Sequence, residues 1–158
     1  MKKHSRPVFA IWIGLCEAVG LLAGLLTRKN TAIYAEKVIK PFLSPPGWVF
    51  PVAWTVLYAL MGIGAALVSM APPSRARADG LRYFFLQLGF NFLWSLLFFN
   101  AMAFGFAFLW LLALWGLIWL MKRAFSLADP TAGRLQLPYL LWVTFAGYLN
   151  LGVWLLNR

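Results

Sequence analysis

The sequence predicts an all-α integral membrane protein, a bundle of five transmembrane helices. Three observations predict it. Apolar residues make up 63% of the 158 residues and charged residues only 11%, less than half of the share of about 25% usual in soluble domains. The apolar residues fall in runs long enough to cross about 30 Å of hydrocarbon at about 1.5 Å per residue. The basic residues fall between those runs, where lipid headgroups would meet them. The runs are continuous rather than alternating, which argues against barrel strands. The same numbers exclude other classes. Disorder needs low hydrophobicity and high charge. A disulfide scaffold needs more than the one cysteine, Cys16. A zinc site cannot be assembled from Cys16 and the one histidine, His4, so no metal is expected. The net charge of +10 does not mark a nucleic-acid binder here, because the basic residues form no stripe on a soluble surface.

The first segment covers residues 8–27, behind Lys2, Lys3 and Arg6. It starts like a signal peptide, but Glu17 interrupts it and no small-x-small cleavage site follows, so it reads as a helix. Residues 28–47 are the longest gap, carrying Lys29, Lys37, Lys40 and the stop Pro45-Pro46-Gly47. A loop of that length is functional or floppy. The second segment, 48–70, ends at the basic turn around Pro72-Pro73, Arg75 and Arg77. The third and fourth, 81–100 and 104–121, are joined by a short uncharged link and predict a tight hairpin. Lys122, Arg123, Asp129, Pro130 and Arg134 separate the fourth from the fifth, 135–157. No internal repeat divides this single domain. An N-terminus on the inside leaves Lys2, Lys3, Arg6, Arg75, Arg77, Arg82, Lys122, Arg123 and Arg134 there. The outside then holds Arg28, Lys29, Lys37, Lys40 and Arg158, so the basic excess places the N-terminus inside.

Polar side chains within the runs are informative, because each is costly in hydrocarbon unless it has a partner or lines a cavity. Gln87, Asn91 and Ser95 recur every fourth residue and form one helical stripe, with Trp94 at its border. Interhelical hydrogen bonding and the polar wall of a ligand cavity both account for that stripe. Trp54 and Tyr58 share a face in the second segment, as do Trp142 and Ala146 in the fifth. Both indoles lie too deep for interfacial anchoring and need partners for their N–H groups, which Gln87 and Asn91 could supply. Trp110, Trp115 and Trp119 read as packing or lipid-facing. Glu17 is either a functional carboxylate, such as a proton-coupling group, or a protonated one bonded to a neighbouring helix. Gly20-x-x-x-Gly24 permits close approach, within the bundle or in a dimer. No nucleophile–histidine–carboxylate set, phosphate loop or catalytic carboxylate pair is present, so no catalytic residue is assigned.

Three strings carry a resemblance. The stretch from Lys40-Pro41-Phe42 through Pro45-Pro46-Gly47-Trp48 to Trp54 and Tyr58, the pattern Gln87-x-x-x-Asn91-x-x-Trp94, and the pattern Pro138-Tyr139-x-x-Trp142-x-x-x-Ala146-x-x-Leu149-Asn150 resemble the TspO/MBR family. These are the tryptophan-rich sensory proteins and the mitochondrial translocator proteins. The resemblance implies a five-helix bundle in the bacterial cell membrane, a homodimer, and a pocket opening towards residues 28–47 as a lid. It implies binding of planar hydrophobic ligands such as protoporphyrin, as ligand rather than cofactor. Carried over, the pocket comprises Trp54, Tyr58, Gln87, Asn91, Trp94, Trp142 and Ala146, with Tyr34 from the lid. Light-dependent porphyrin breakdown at Trp54 and Trp142, and ion-coupled transport through Glu17, are the alternatives. Two departures stand out. Phe42-Leu43-Ser44 replaces a tryptophan pair found in many bacterial relatives. No basic residue follows Tyr148 until Arg158, so the sterol pattern fails. Haem is disfavoured because no histidine lies within the apolar runs.

Overall fold

The computed structural model describes residues 5–158; Lys2, Lys3 and His4 lie outside them. Its elements are α1 (Arg6–Lys37), α2 (Val49–Ser69), α3 (Arg75–Ser95) with a π-helical turn at Leu96–Asn100, α4 (Phe104–Ala128), the short α5 (Pro130–Leu135) and α6 (Leu137–Asn157). No strand occurs among the described residues. Five helical stretches are long and apolar enough to span a membrane: α1, α2, α3 with its π turn, α4, and α5 with α6.

The helices outrun the apolar segments for identifiable reasons. α1 continues ten residues beyond Thr27 to Lys37. Nothing between Arg28 and Lys40 breaks a helix, and the chain turns extended only at Val38, three residues before Pro41. The expected lid at 28–47 is therefore half helix, and the true connection is residues 38–48. α3 starts at Arg75 because Ser74 caps it, the Ser74 Oγ accepting from the Arg77 N–H at 3.0 Å. α4 runs on to Ala128, until Asp129 caps α5 by accepting from the Ala132 N–H at 3.1 Å. Hydropathy measures the hydrocarbon, whereas caps and prolines measure the helix.

Successive spans run antiparallel. Gly62 of α2 lies on Ile13 of α1, Asn91 of α3 meets Tyr58, Trp110 of α4 meets Phe90, and Leu111 lies beside Gly147 of α6. The core is the seam between α2, α3, α4 and α6, where Met61, Phe84, Leu114, Ile118 and Tyr139 are fully enclosed. α1 packs along α2 and buries only Cys16, Ala23 and Thr27. Gln136, at the break between α5 and α6, is also enclosed. Its Nε2 donates to Leu60 O and Ala132 O, each at 3.3 Å, tying the break to α2. Of the tryptophans of α4, Trp110 packs against the core, whereas Trp115 and Trp119 lie on the exposed face. Trp110 stacks on Phe90 at 4.2 Å and donates to its carbonyl at 2.9 Å. Trp115 donates to Thr144 Oγ1 at 2.9 Å and lies parallel to Trp119.

Candidate functional site

A cavity of about 870 Å³ lies where α1, the start of α2, the π turn and α6 converge beside residues 38–48. Its volume falls within the range of about 300–1,000 Å³ usual for small-molecule sites. α2 contributes Phe50, Trp54 and Tyr58, and α6 contributes Trp142, Ala146 and Asn150. The helical period places the first pair of indoles here: Trp54 and Tyr58 are one turn apart, as are Trp142 and Ala146. Trp54 meets Trp142 edge to face at 6.3 Å and 87°, and Phe50 meets Trp142 at 6.0 Å. A second aromatic group comes from Trp94, Phe98 and Tyr34, with Phe98 5.2 Å from Trp94 and 5.4 Å from Tyr34.

The wall on α1 is open by composition. Gly20 seats the ring of Tyr58; a Cβ there would lie 2.5 Å from Tyr58 Cε2. One turn on, a Cβ at Gly24 would meet nothing within 4 Å, and that space is the cavity. Gly20 therefore works inside the bundle, whereas Gly24 is exposed and borders the cavity. Glu17 lines the same wall, and its Oε1 is buried without a hydrogen-bond partner. At the other end Arg28 and Lys40 reach the mouth. The Lys40 ammonium donates to Ala35 O at 2.9 Å and Val38 O at 3.2 Å and sits 5.0 Å over the Tyr34 ring. The site is thus an apolar slot with cations at one end and a carboxyl on the α1 wall.

Six of the eight expected site residues, Trp54, Tyr58, Trp94, Trp142, Ala146 and Tyr34, line this cavity. Gln87 and Asn91 do not. They belong to a closed chain of hydrogen bonds centred on Tyr139, which is wholly enclosed. The Tyr58 hydroxyl donates to Asn91 Oδ1 at 3.3 Å, Asn91 Nδ2 donates to the Tyr139 hydroxyl at 2.7 Å, and that hydroxyl donates to Gln87 Oε1 at 2.6 Å. Gln87 Nε2 reaches Met61 Sδ at 3.7 Å. The amides are taken up by phenols and do not serve the indoles, contrary to the sequence expectation. Trp94 is served instead by Asn150, whose Oδ1 accepts from its Nε1 at 3.0 Å. Trp142 Nε1 is buried with no partner. Of the polar stripe, only Ser95 reaches the cavity.

The comparisons agree with this architecture. The TspO/MBR family model matches residues 12–155. The chain belongs to the TspO/MBR family. It is therefore a multi-pass integral membrane protein of the five-helix TspO type. Among TspO/MBR relatives it is 34% identical to Protein CrtK of Rhodobacter capsulatus over 154 residues, 97% of this chain and 94% of that one. It is 36% identical to the tryptophan-rich protein TspO of Chlorobaculum tepidum over 149 residues, 94% of each chain. The similarity extends to the translocator protein of Bos taurus, at 31% over 141 residues, 88% of this chain and 83% of that one.

Sequence reasoning overlooked Asn150 and Phe98 as lining residues, and Tyr139 as the partner of both amides. A signal for Asn150 was present, since Trp142, Ala146 and Asn150 follow the same four-residue step as Gln87, Asn91 and Ser95. Tyr139 offered none, because only the fold shows which phenol meets both amides.

Proposed function

We propose that this TspO/MBR protein is a membrane receptor or carrier for protoporphyrin-like tetrapyrroles and similar planar hydrophobic ligands. The observation that carries the reading is the pairing of Trp54 and Trp142 across an aromatic-walled slot whose mouth holds Arg28 and Lys40. Indole and phenol faces stack on a flat macrocycle. The two cations suit the carboxylates on its edge, and a guanidinium pairs with a carboxylate in a bidentate fork. Trp142 Nε1 would gain an acceptor from the ligand. Gln87 and Asn91 act through Tyr58 by fixing its hydroxyl, so they are positioning residues in this reading. Dimerisation belongs to the same reading. An N-terminus inside the bacterial cell membrane would place the cavity mouth on the outer side.

The test is quenching of tryptophan fluorescence by protoporphyrin in the purified protein. Saturable quenching that weakens in Trp142→Phe supports the reading, and equal affinity in the two proteins contradicts it. A transporter reading gains support from Glu17, an intramembrane carboxyl on the cavity wall. Glu17→Gln separates the two: lost proton-driven uptake with retained binding would add transport to the receptor.

A further inference from the structure

The connection between α1 and α2 does not cap the end of the bundle. It runs down the side of α6, and three contacts fix its path. Asn157 brackets Ile39: its Oδ1 accepts from the Ile39 N–H at 3.0 Å and its Nδ2 donates to the Ile39 carbonyl at 2.7 Å. Pro41 rests on Gly152, where a Cβ would lie 2.5 Å from the proline ring. The Tyr148 hydroxyl donates to the Phe42 carbonyl at 2.5 Å. Asn157, Gly152 and Tyr148 follow one another down α6, and the nine residues from the first to the last rise about 13 Å. Tyr148 lies nine residues, about 13 Å, inside the C-terminal end of the span Pro130–Asn157, so Phe42 is held within the span and not at its end. The cause is the low start of α2. It begins at Val49, and Phe50 in its first turn already meets Trp142 in the N-terminal half of α6. Beyond that point the flank of the cavity has no α2 to close it, and residues 38–48 take its place.

Irregular backbone at membrane depth is tolerated only where its polar groups are satisfied. Here many are satisfied by side chains or absent. Both Ile39 groups bind Asn157. Pro41, Pro45 and Pro46 have no N–H. The Pro41 carbonyl accepts from Ser44 Oγ at 2.8 Å, and the Val38 carbonyl accepts from Lys40 at 3.2 Å. The side chains are sorted by face. Lys40 and Ser44 turn to the cavity. Ile39, Phe42, Leu43 and Trp48 point outward, 59%, 81%, 66% and 69% exposed. Four large apolar side chains so exposed on one short segment suit hydrocarbon and not water, since apolar area in water is unfavourable by about 25 cal/mol per Å².

We infer that residues 38–48 form an intramembrane wall of the cavity, and that the outer face made by Ile39, Phe42, Leu43 and Trp48 is covered by lipid acyl chains. The partner of this surface is the bilayer itself. The inference stands whether or not the cavity holds a tetrapyrrole.

The experiment places a nitroxide label at Phe42→Cys or Leu43→Cys in phosphatidylcholine vesicles. Collision with oxygen, which concentrates in hydrocarbon, is compared with collision with a water-soluble nickel chelate. Pro73→Cys, in the exposed turn between α2 and α3, is the aqueous reference, and Leu141→Cys, on the outer face of α6, is the lipid reference. Cys16 is fully enclosed and stays unlabelled, with labelled wild type as its control. The expected oxygen-to-nickel ratio at 42 and 43 matches that at 141 and exceeds that at 73 several-fold. A ratio at both positions equal to that at 73 overturns the inference. Two adjacent sites are used so that a misfolded variant at one leaves the other decisive.

Discussion

The closed seam below Tyr58 and the open slot above it both set polar groups among aromatic rings, and they behave oppositely. In the seam, Gln87, Asn91 and Tyr139 satisfy one another and Met61 and Phe84 fill the remaining space. In the slot, Trp54, Trp142 and Glu17 surround an empty volume, and two buried polar atoms, Trp142 Nε1 and Glu17 Oε1, lack partners. An unsatisfied buried polar group costs about 1–3 kcal/mol. The difference teaches that the amides hold the bundle, while the indoles and the carboxyl border the cavity without partners of their own. Tyr58 is the hinge between the two regions, with its ring on the slot and its hydroxyl on Asn91.

The largest expected effect comes from filling the slot without touching the seam. Gly24→Leu places a side chain where no atom lies within 4 Å of the Cβ, and leucine favours a helix by roughly 0.5–1 kcal/mol over glycine. Protoporphyrin binding should fall by more than about tenfold, equivalent to roughly 1.4 kcal/mol, with a thermal midpoint equal to wild type or above it. A lost midpoint would mean that the α1 wall is structural. Next comes the reverse experiment. Asn91→Ala removes the acceptor of Tyr58 and a donor to Tyr139. It should lower stability by about 1–3 kcal/mol in a thermal-shift assay, and lower affinity as Tyr58 loses its anchor. An unchanged midpoint would dissolve the distinction between the two regions.

Smaller effects sharpen the comparison. Trp142→Phe keeps a ring but removes the unpartnered N–H; affinity should drop by about 1 kcal/mol, roughly fivefold, at constant stability. Arg28→Gln at the mouth should weaken a dicarboxylate porphyrin two- to fivefold by a rough estimate and leave its dimethyl ester unaffected. Trp119→Phe, on the exterior of α4, should change neither quantity.

Much of this was legible because hydrocarbon imposes simple rules. A run of apolar residues had to span, and a polar residue within it had to face inward, so Trp54, Tyr58, Trp142 and Ala146 could be placed from spacing alone. The rest depended on contacts far apart in the chain. The bond from Tyr148 to Phe42 joins residues 106 apart, and no local pattern announces it. The amides misled for the same reason: periodicity gave the inward face of Gln87 and Asn91 but not the phenol they meet. The length of α1 was missed because Arg28–Lys37 leaves the apolar pattern without leaving the helix.

The account rests on the slot as the site of a flat aromatic guest. The most direct measurement is a protoporphyrin titration of wild type and Gly24→Leu side by side, read by tryptophan quenching at matched folded fraction. Saturable one-site quenching in wild type, lost in the variant, is the predicted result. Identical curves in the two proteins would put the porphyrin somewhere other than between Trp54 and Trp142 and would contradict the assignment.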